Sequence, residues 1–168
     1  MPDAIIPSPF LCDKFYVLKE WIDLNGHMNV AYYLKAFDMA YDEPYEQVGF
    51  TAEHMALQRG TTFAAEIHIS YQCELMEGDP LRIATQLLGF DAKRMHWMQC
   101  MYHRDRGYLA ATAEWLILYV DIGLRRVGLM PEDMQRRFRA LQAAHAQLAV
   151  PKEAGRRIEF TGRRRPIS

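Results

Sequence analysis

Cysteine is scarce in this chain of 168 residues, and the three that occur, Cys12, Cys73 and Cys100, lack the Cys-x-x-Cys spacing of a redox or zinc site. An odd number of unpaired cysteines is typical of reduced thiols that pack as small apolar side chains, so we expect neither a disulfide framework nor a metal. The charge excess of a nucleic-acid binder is also missing, because 20 basic residues stand against 21 acidic ones and the formal net charge is −1. We therefore expect no nucleic-acid partner.

Apolar runs long enough to cross a bilayer are absent as well, and the first ten residues lack the basic start and apolar stretch of a signal peptide. We expect a cytoplasmic protein with no membrane partner. What the chain does have is apolar side chains: 50% of its residues are hydrophobic and 12% are aromatic, which excludes disorder for most of it. Its length suits a single domain. We expect residues 1–150 to form that domain and residues 151–168, with their five arginines, to form a basic tail.

The stretch from residue 20 to residue 49 carries the strongest pattern. A polar loop, D-L-N-G-H-M-N at residues 23–29, is followed by apolar residues at steps of three and four, which predicts an amphipathic helix. Interleaved alanines allow close approach from several sides, which suits a helix wrapped by a sheet. We expect this helix to begin after Asn29, a good N-cap residue, to kink near Asp42 because of Pro44, and to end near Gly49.

The loop before this helix brings together groups that acyl transfer requires. Asp23 supplies a carboxylate, His27 supplies an imidazole, and the unpaired N–H groups of the first turn, near Val30, attract a polarised carbonyl oxygen. One such donor contributes roughly 3–4 kcal/mol to stabilising an oxyanion, and a general base adds about a hundredfold in rate. Asp23 is also explained as a loop hydrogen-bonder, and His27 and Asn29 as residues that only fix the loop. We favour catalysis for Asp23 and leave both interpretations open for the other two.

Most of the remaining chain shows strand patterns. Residues 15–21 predict a first strand, and a helical turn is expected within residues 54–60. Clean alternation predicts a long strand at residues 61–74. Three further strands, separated by turn residues, are predicted at residues 81–90, 94–104 and 108–121, and they should form an antiparallel meander. A last helix should start at Pro131.

This order of elements, with the motif Asp23-x-x-Gly26-His27-x-Asn29 leading into the helix, resembles the hotdog-fold thioesterases of the 4-hydroxybenzoyl-CoA thioesterase type. The resemblance covers residues 15–121. It implies an α+β fold in which a five-stranded antiparallel sheet wraps a long central helix, here with a C-terminal helix added. It also implies an acyl-CoA thioesterase, a homodimer or homotetramer with acyl-CoA in the cleft between subunits, and no cofactor beyond the coenzyme A of the substrate.

The resemblance also implies roles for single residues. It makes Asp23 the nucleophile or the general base for water, and it makes the backbone N–H groups near Val30 the donors that polarise the thioester carbonyl. This sequence departs from the benzoyl-type pattern at His27 and Asn29, where that group has apolar or aromatic residues, so the choice between the two roles of Asp23 stays open.

Basic residues of the predicted hairpin turn are assigned to coenzyme A. The resemblance implies that Lys93 and Arg94 bind the CoA phosphates, although charges on a turn are often only surface groups. The arginines at positions 163–165 suit the same purpose, but a basic tail is usually solvated.

Two stretches point to a particular acyl group. Residues 66–71 (EIHISY) and 88–96 (LGFDAKRMH) are similar to thioesterase-like proteins of carnitine breakdown, which act on betainyl-CoA. Glu66 and His68 share one strand face, which is either a solvated surface or, with Trp97, Trp115 or a tyrosine, a site for a trimethylammonium group.

Two other functions remain as alternatives to hydrolysis. One is a hotdog-fold hydratase or dehydratase that uses His27 and Glu66 as its acid–base pair, and the other is a non-catalytic acyl-CoA-binding module. The sequence leaves open the acyl group and the choice between dimer and tetramer.

Overall fold

An antiparallel sheet forms the frame of the chain. The structure is a computed structural model that describes residues 6–58 and 60–158. Besides a short 3-10 helix at Lys19–Trp21, its elements in chain order are β1 (Phe10–Cys12), α1 (Val30–Met39), α2 (Asp42–Val48), α3 (Ala52–Gln58), β2 (Gly60–Tyr71), β3 (Leu81–Phe90), β4 (Arg94–His103), β5 (Leu109–Asp121), β6 (Arg126–Val127) and α4 (Glu132–His145).

The strands follow the order β1-β3-β4-β5-β2, and the short β6 pairs with β5. The predicted meander of β3, β4 and β5 is confirmed, as is the α+β class, but the sheet has six strands and not the expected five. All pairs are antiparallel, and β2 joins the sheet through β5 alone among the described strands, so its other side is a free edge. That edge is twelve residues long.

The central helix lies against the inner face of this sheet. Ala36 and Phe37 are fully buried, and the buried Gln99 of β4 donates from Nε2 to the carbonyl of Phe37 over 3.0 Å. The predicted kink is confirmed: α1 ends, α2 begins at Asp42, and Pro44 falls in the first turn of α2, where its missing N–H removes no helical bond. Gly49 ends α2 with φ +91°, a left-handed conformation that glycine adopts without strain.

The predicted strand at residues 15–21 is wrong. Val17 and Trp21 are buried in the core, but the backbone there turns, and Val17 exchanges hydrogen bonds with the loop at residues 78–79 rather than with a strand. The edge strand is instead β1, which precedes this segment in the chain and pairs with β3. The aromatic and β-branched character of residues 15–21 therefore reflects burial of single side chains and not sheet pairing.

A bulge in β2 changes which residues share a face. The register with β5 shifts between Ala64 and Glu66, so one extra residue is accommodated and the alternation reverses. Phe63 lies opposite Leu118, whereas Ile67 lies opposite Trp115 on the inner face. The expectation that Phe63 and Ile67 share one face is therefore wrong.

The C-terminal part packs on the sheet. Helix α4 buries Met134, Phe138 and Leu141 as expected, and also His145. The predicted tail starts on the surface of the sheet, where Gly155 donates its N–H to the carboxylate of Glu114 over 2.8 Å; the arginines at positions 163–165 lie outside the described residues. In the part of the chain that the structure describes, no helix combines the length and apolarity needed to cross a membrane, and no cluster of side chains suits a metal ion.

Candidate active site

The polar loop before α1 is a tight turn pinned to the rest of the fold. The N–H of Asp23 donates to the carbonyl of His27 over 3.1 Å, and the N–H of Gly26 donates to the carbonyl of Asp23 over 3.0 Å. Gly26 has φ +83°, which explains the glycine at this position of the motif. The N–H groups of Met28 and Asn29 then donate to the carbonyls of Leu75 and Trp21, each over 2.8 Å. The loop is thereby held in one geometry against the core.

The helix start presents a backbone donor. Asn29 caps α1, since its Oδ1 accepts from the N–H of Ala31 over 3.0 Å, as predicted from the sequence. Within residues 6–58 and 60–158, no acceptor for the N–H of Val30 is found, and the Val30 side chain is largely exposed. The first-turn amide near Val30 is therefore available to an oxygen atom of a ligand.

The carboxylate of Asp23 is half-buried and engaged locally. Its Oδ1 accepts from the N–H of Asn25 over 2.8 Å, and its Oδ2 lies 3.5 Å from the Asn25 amide nitrogen. This arrangement is an Asx turn, the loop-stabilising role weighed above as the alternative to catalysis. Oδ2 has only the longer contact, so it retains hydrogen-bonding capacity.

A groove of about 750 Å³ opens beside this helix start. Its walls come from four places in the chain: the polar loop, the first turn of α1, the end of β2 with the loop that follows it, and the hairpin between β4 and β5. The lining is mostly apolar and aromatic, and its residues are His27, Met28, Val30, Tyr33, Tyr71, Gln72, Cys73, Glu74, Met76, Arg106 and Tyr108.

Two of the groove's polar side chains face each other at moderate distance. His27 Nδ1 lies 3.2 Å from the carbonyl of Met28 and donates to it in the matching tautomer, which leaves Nε2 as an acceptor. That Nε2 lies 3.9 Å from Oε1 of Glu74. Since the Glu74 side chain is 68% exposed, its carboxylate is open to a ligand.

The groove's tyrosines are fixed by contacts of their own. Tyr71 donates its hydroxyl to the carbonyl of Val30 over 3.3 Å, and Tyr108 donates to the carbonyl of Glu74 over 3.1 Å. The Tyr33 ring meets the Tyr71 ring edge-on at 5.2 Å, and burial raises the pKa of Tyr33 to about 12. The hydroxyl of Tyr33 therefore stays protonated at physiological pH.

A contact between a buried histidine and an aspartate holds the far wall of the groove. Nε2 of the buried His103 lies 3.3 Å from Oδ1 of Asp79, while Nδ1 accepts from the N–H of Arg106 over 3.2 Å. The other oxygen of Asp79 accepts from the N–H of Met76 over 2.8 Å. The turn at residues 76–79 is thus tied to the β4–β5 hairpin, so two groove walls keep a constant spacing.

The structure does not bring Glu66 and His68 to this groove. They line a separate hollow on the outer face of the sheet, together with His96, Glu114 and the backbone of Gly155. Each pair of directly opposed residues on neighbouring strands shares a face, which places His68 beside Glu114 and Glu66 beside Leu116. In a single chain, Glu66 and His68 therefore lie on the solvated outer face of the sheet, which is one of the two interpretations given above.

Trp97 is a core residue, and its expected place in the acyl pocket is wrong for the single chain. It is 0% exposed, and its ring packs against Tyr41 and Phe138. Its neighbour His96 points to the outer face instead, because successive residues of a strand alternate in direction.

Lys93 and Arg94 lie at the opposite end of the sheet from the groove. The ten residues of β3 separate their turn from the groove wall, a distance of roughly 30 Å. Arg94 is paired with Asp91, whose Oδ2 lies 2.6 Å from the guanidinium. Neither residue reaches a ligand in the groove of its own chain.

Several groove residues escaped the sequence analysis. Tyr71 and Glu74 were seen only as members of a strand pattern, and Arg106 and Tyr108 only as parts of a turn and a strand. What these four residues share is that each lies at the end of a strand or in the turn beside it.

Comparisons with known proteins bear on the family and the fold of the chain. Residues 17–138 match the family model of the thioesterase-like superfamily. A betainyl-CoA thioesterase of Pseudomonas aeruginosa is 34% identical over 142 residues, which cover 84% of this chain and 89% of that protein. An L-carnitine dehydrogenase/betainyl-CoA thioesterase of Ruegeria pomeroyi is 32% identical over 161 residues, which cover 94% of this chain but 32% of that longer protein.

A solved structure shares the fold over almost its full length. The Staphylococcus aureus protein SAV2348, solved in complex with CoA, superposes with a TM-score of 0.85 at 24% identity, and the match covers 95% of this chain and 99% of that one. At that level of identity the likeness concerns the fold.

Proposed function

The chain belongs to the thioesterase-like superfamily, and from that membership we infer that it hydrolyses acyl-CoA thioesters at the groove beside the start of α1. It is an acyl-CoA thioesterase, an enzyme that releases free coenzyme A and a carboxylic acid. The observation that carries the location is the unpaired N–H of Val30, which opens next to a groove lined by His27 and Met28 of the polar loop; Asp23 belongs to that loop but is not among the lining residues. Hydrolysis of this kind calls for no cofactor.

The proposed chemistry uses one donor and one carboxylate. The thioester oxygen accepts a hydrogen bond from the N–H near Val30, which lies at the positive end of α1 and stabilises the oxyanion that forms on attack. Asp23 drives that attack, either by removing a proton from water or by attacking the carbonyl carbon itself. The tetrahedral intermediate then expels the CoA thiolate, a good leaving group. Asn29 and His27 support the reaction by holding the helix start and the loop.

A homodimer completes this site. The free edge of β2 is twelve residues long, and an unpaired edge of that length is a template for pairing with a second copy. The Lys93–Arg94 turn lies at the Gly60 end of β2, because Arg94 pairs with Leu118 and Gly60 with Asp121 on the same end of β5. Antiparallel pairing of two β2 edges therefore brings the turn of the second copy to the groove end of the first, where it is placed to bind CoA phosphates.

The acyl group to test first is betainyl, because two similar proteins carry that activity in their names. We place the enzyme in the cytoplasm, since acyl-CoA esters are intracellular metabolites. The hydratase alternative has less support: its acid–base pair, His27 and Glu66, lies in two different hollows of the chain.

The test of the catalytic carboxylate is Asp23→Asn. The amide keeps the acceptor that Asn25 uses, so the loop and the melting temperature are expected to stay unchanged. Loss of the carboxylate lowers kcat/KM for thiol release by about a hundredfold or more. Asn25→Ala, which keeps Asp23, is the matched control and is expected to stay within a few-fold of wild type.

Undiminished thiol release by Asp23→Asn would remove Asp23 from the mechanism. A single turnover in water enriched in oxygen-18 distinguishes the two routes. Label in the product acid and none in the protein shows attack by water on the thioester. Label in the Asp23 carboxylate, with an unlabelled product acid, shows that Asp23 attacked first and that water then opened the anhydride at the Asp23 carbonyl.

A further inference from the structure

Three features of the groove are unexplained by thioester hydrolysis: an exposed carboxylate, an exposed aromatic ring and a third tyrosine at the rim. We propose that Glu74, Tyr71 and Tyr108 form a site for a quaternary ammonium group on the acyl chain of the substrate. This inference rests on the proposed function, because it assigns the acyl end of the same groove.

The aromatic part of the site is preorganised. The ring of Tyr71 is 47% exposed on the groove side, while its hydroxyl is tied to the Val30 carbonyl and its edge to Tyr33. The hydroxyl of Tyr108 is likewise tied to the backbone of Glu74. Rings whose hydroxyl groups are held by the backbone keep their orientation, so a cation meets them without a cost in side-chain entropy.

The charge comes from Glu74. Among the described residues that line the groove, Glu74 is the only acidic one, and its side chain is 68% exposed. The nearest basic atom given for it, Nε2 of His27, lies 3.9 Å away, which is beyond hydrogen-bonding distance. A largely exposed carboxylate in a mostly apolar groove, with no hydrogen-bonded cation of its own, attracts a cation that has no N–H groups to donate.

The position fits a cation close to the thioester. Tyr71 touches the carbonyl of Val30, whose own N–H is the proposed donor to the thioester oxygen. A group bound against Tyr71 therefore lies in the same part of the groove as the proposed donor to the thioester oxygen. This favours a short acyl chain that carries the trimethylammonium close to the carbonyl.

Arg106 limits the site from the other side. It is exposed on the β4–β5 hairpin with its side chain beside Tyr108, so its positive charge repels a cation from that rim and leaves the side of Tyr71 and Glu74 as the favourable one. An acidic acyl group would make the opposite choice and pair with Arg106. Glu74 thus favours a cationic acyl group, whereas Arg106 favours an anionic one.

The experiment compares betainyl-CoA with 3,3-dimethylbutyryl-CoA, in which a carbon atom replaces the nitrogen and the shape is kept. Wild-type enzyme is expected to prefer the cationic ester in kcat/KM. Glu74→Gln lowers that preference about tenfold, mainly through KM, and leaves the neutral ester nearly unaffected. Tyr71→Phe retains the preference, whereas Tyr71→Leu reduces it. Glu77→Gln, an exposed carboxylate outside the groove, is the matched control and keeps the wild-type ratio.

An unchanged ratio in Glu74→Gln, or a wild-type preference for the neutral ester, would overturn the proposal. Failure of the proposed function looks different, because then neither ester is hydrolysed. Calorimetric Kd values for the two esters, measured on Asp23→Asn protein so that the esters survive, decide the cation site without turnover. Equal Kd values for the two esters overturn it, and tighter binding of betainyl-CoA that Glu74→Gln removes supports it.

Discussion

The groove and the outer hollow contain the same kinds of side chain and use them differently. In the hollow, His96 Nε2 donates to Oε1 of Glu114 over 2.7 Å, and the other carboxylate oxygen accepts from the N–H of Gly155 over 2.8 Å. The Glu114 side chain is only 15% exposed. In the groove, Glu74 is far more exposed, and Nε2 of His27 is the nearest basic atom to its carboxylate, at 3.9 Å.

The difference separates a structural carboxylate from one available to a ligand. Glu114 has both oxygens engaged by the chain itself, so it fastens the segment after α4 to the outer face of the sheet. Glu74 makes no comparably close contact, and its backbone rather than its carboxylate is what Tyr108 binds. A histidine–glutamate pair therefore does not identify a site; unsatisfied hydrogen-bonding capacity beside a cavity does.

The largest loss of stability is expected at Trp97. This residue lines neither the groove nor the outer hollow, so its removal should affect stability rather than substrate binding. Trp97→Ala empties a fully buried site between Tyr41 and Phe138, and we expect the free energy of unfolding to fall by about 3–5 kcal/mol. Urea denaturation measures it. A residue that bound the acyl group would change KM with a smaller loss of stability.

Trp97→Phe is the matched control for that change. In the part of the chain that the structure describes, the Trp97 Nε1–H has no hydrogen-bond partner, so phenylalanine gives up no bond and leaves a smaller cavity. We expect it to recover more than half of the lost stability. Equal losses for Ala and Phe would contradict a packing role.

The next effect contrasts the two carboxylates directly. Glu114→Ala leaves His96 and the Gly155 N–H without their partner, and we expect the free energy of unfolding to fall by roughly 2 kcal/mol. Glu74→Ala changes an exposed side chain, so its stability should stay within about 0.5 kcal/mol of wild type. Activity should respond in the opposite order when betainyl-CoA turnover is measured. If Glu114→Ala and Glu74→Ala lost stability and activity in the same order, the proposed difference between a structural and a ligand-binding carboxylate would be wrong.

The fold was largely predictable because most of its signals are local. The bounds of β3 were predicted without error, and the turns at Gly78 and Gly107 and the cap at Asn29 follow from residue chemistry at those positions. The failures involve distant partners. Residues 15–21 look like a strand because Val17 and Trp21 are buried, but whether a buried segment pairs with a strand depends on what lies beside it.

The site was predictable only where it is continuous in sequence. The loop and helix start form one stretch, so the sequence indicates Asp23, Asn29 and Val30 together. The acyl end of the groove joins that stretch to Glu74 and Tyr108, which are 45 residues or more away from Asn29 and meet it through sheet register and a turn. The bulge at residues 64–66 likewise decides which face Glu66 and His68 occupy, and no single-residue pattern reveals it.

His145, which lies outside both cavities, resembles His96 of the hollow in being hydrogen-bonded within the chain. His145 is buried, its Nδ1 accepts from the N–H of Leu87 over 2.9 Å, and its Nε2 donates to the carbonyl of Pro7 over 3.0 Å. It therefore joins α4 to β3 and to the N-terminal segment. Burial lowers its pKa below 6.5, because the charged ring would lose solvation and could not accept from Leu87.

The change in stability between neutral and acidic pH should reveal the role of His145, and it is the smallest of the predicted effects. Because the folded pKa of His145 lies below the unfolded value, the unfolded chain binds the proton first, and stability is lost as pH falls below about 6.5 until the folded pKa is reached. A single group of this kind changes the free energy of unfolding by at most about 1.4 kcal/mol per pH unit. His145→Gln supplies a neutral acceptor and donor that do not titrate, so its stability should fall less between pH 7 and pH 5 than that of the wild type. Identical slopes in urea denaturation across that range would show that acid sensitivity arises elsewhere, in the hollow or in the groove.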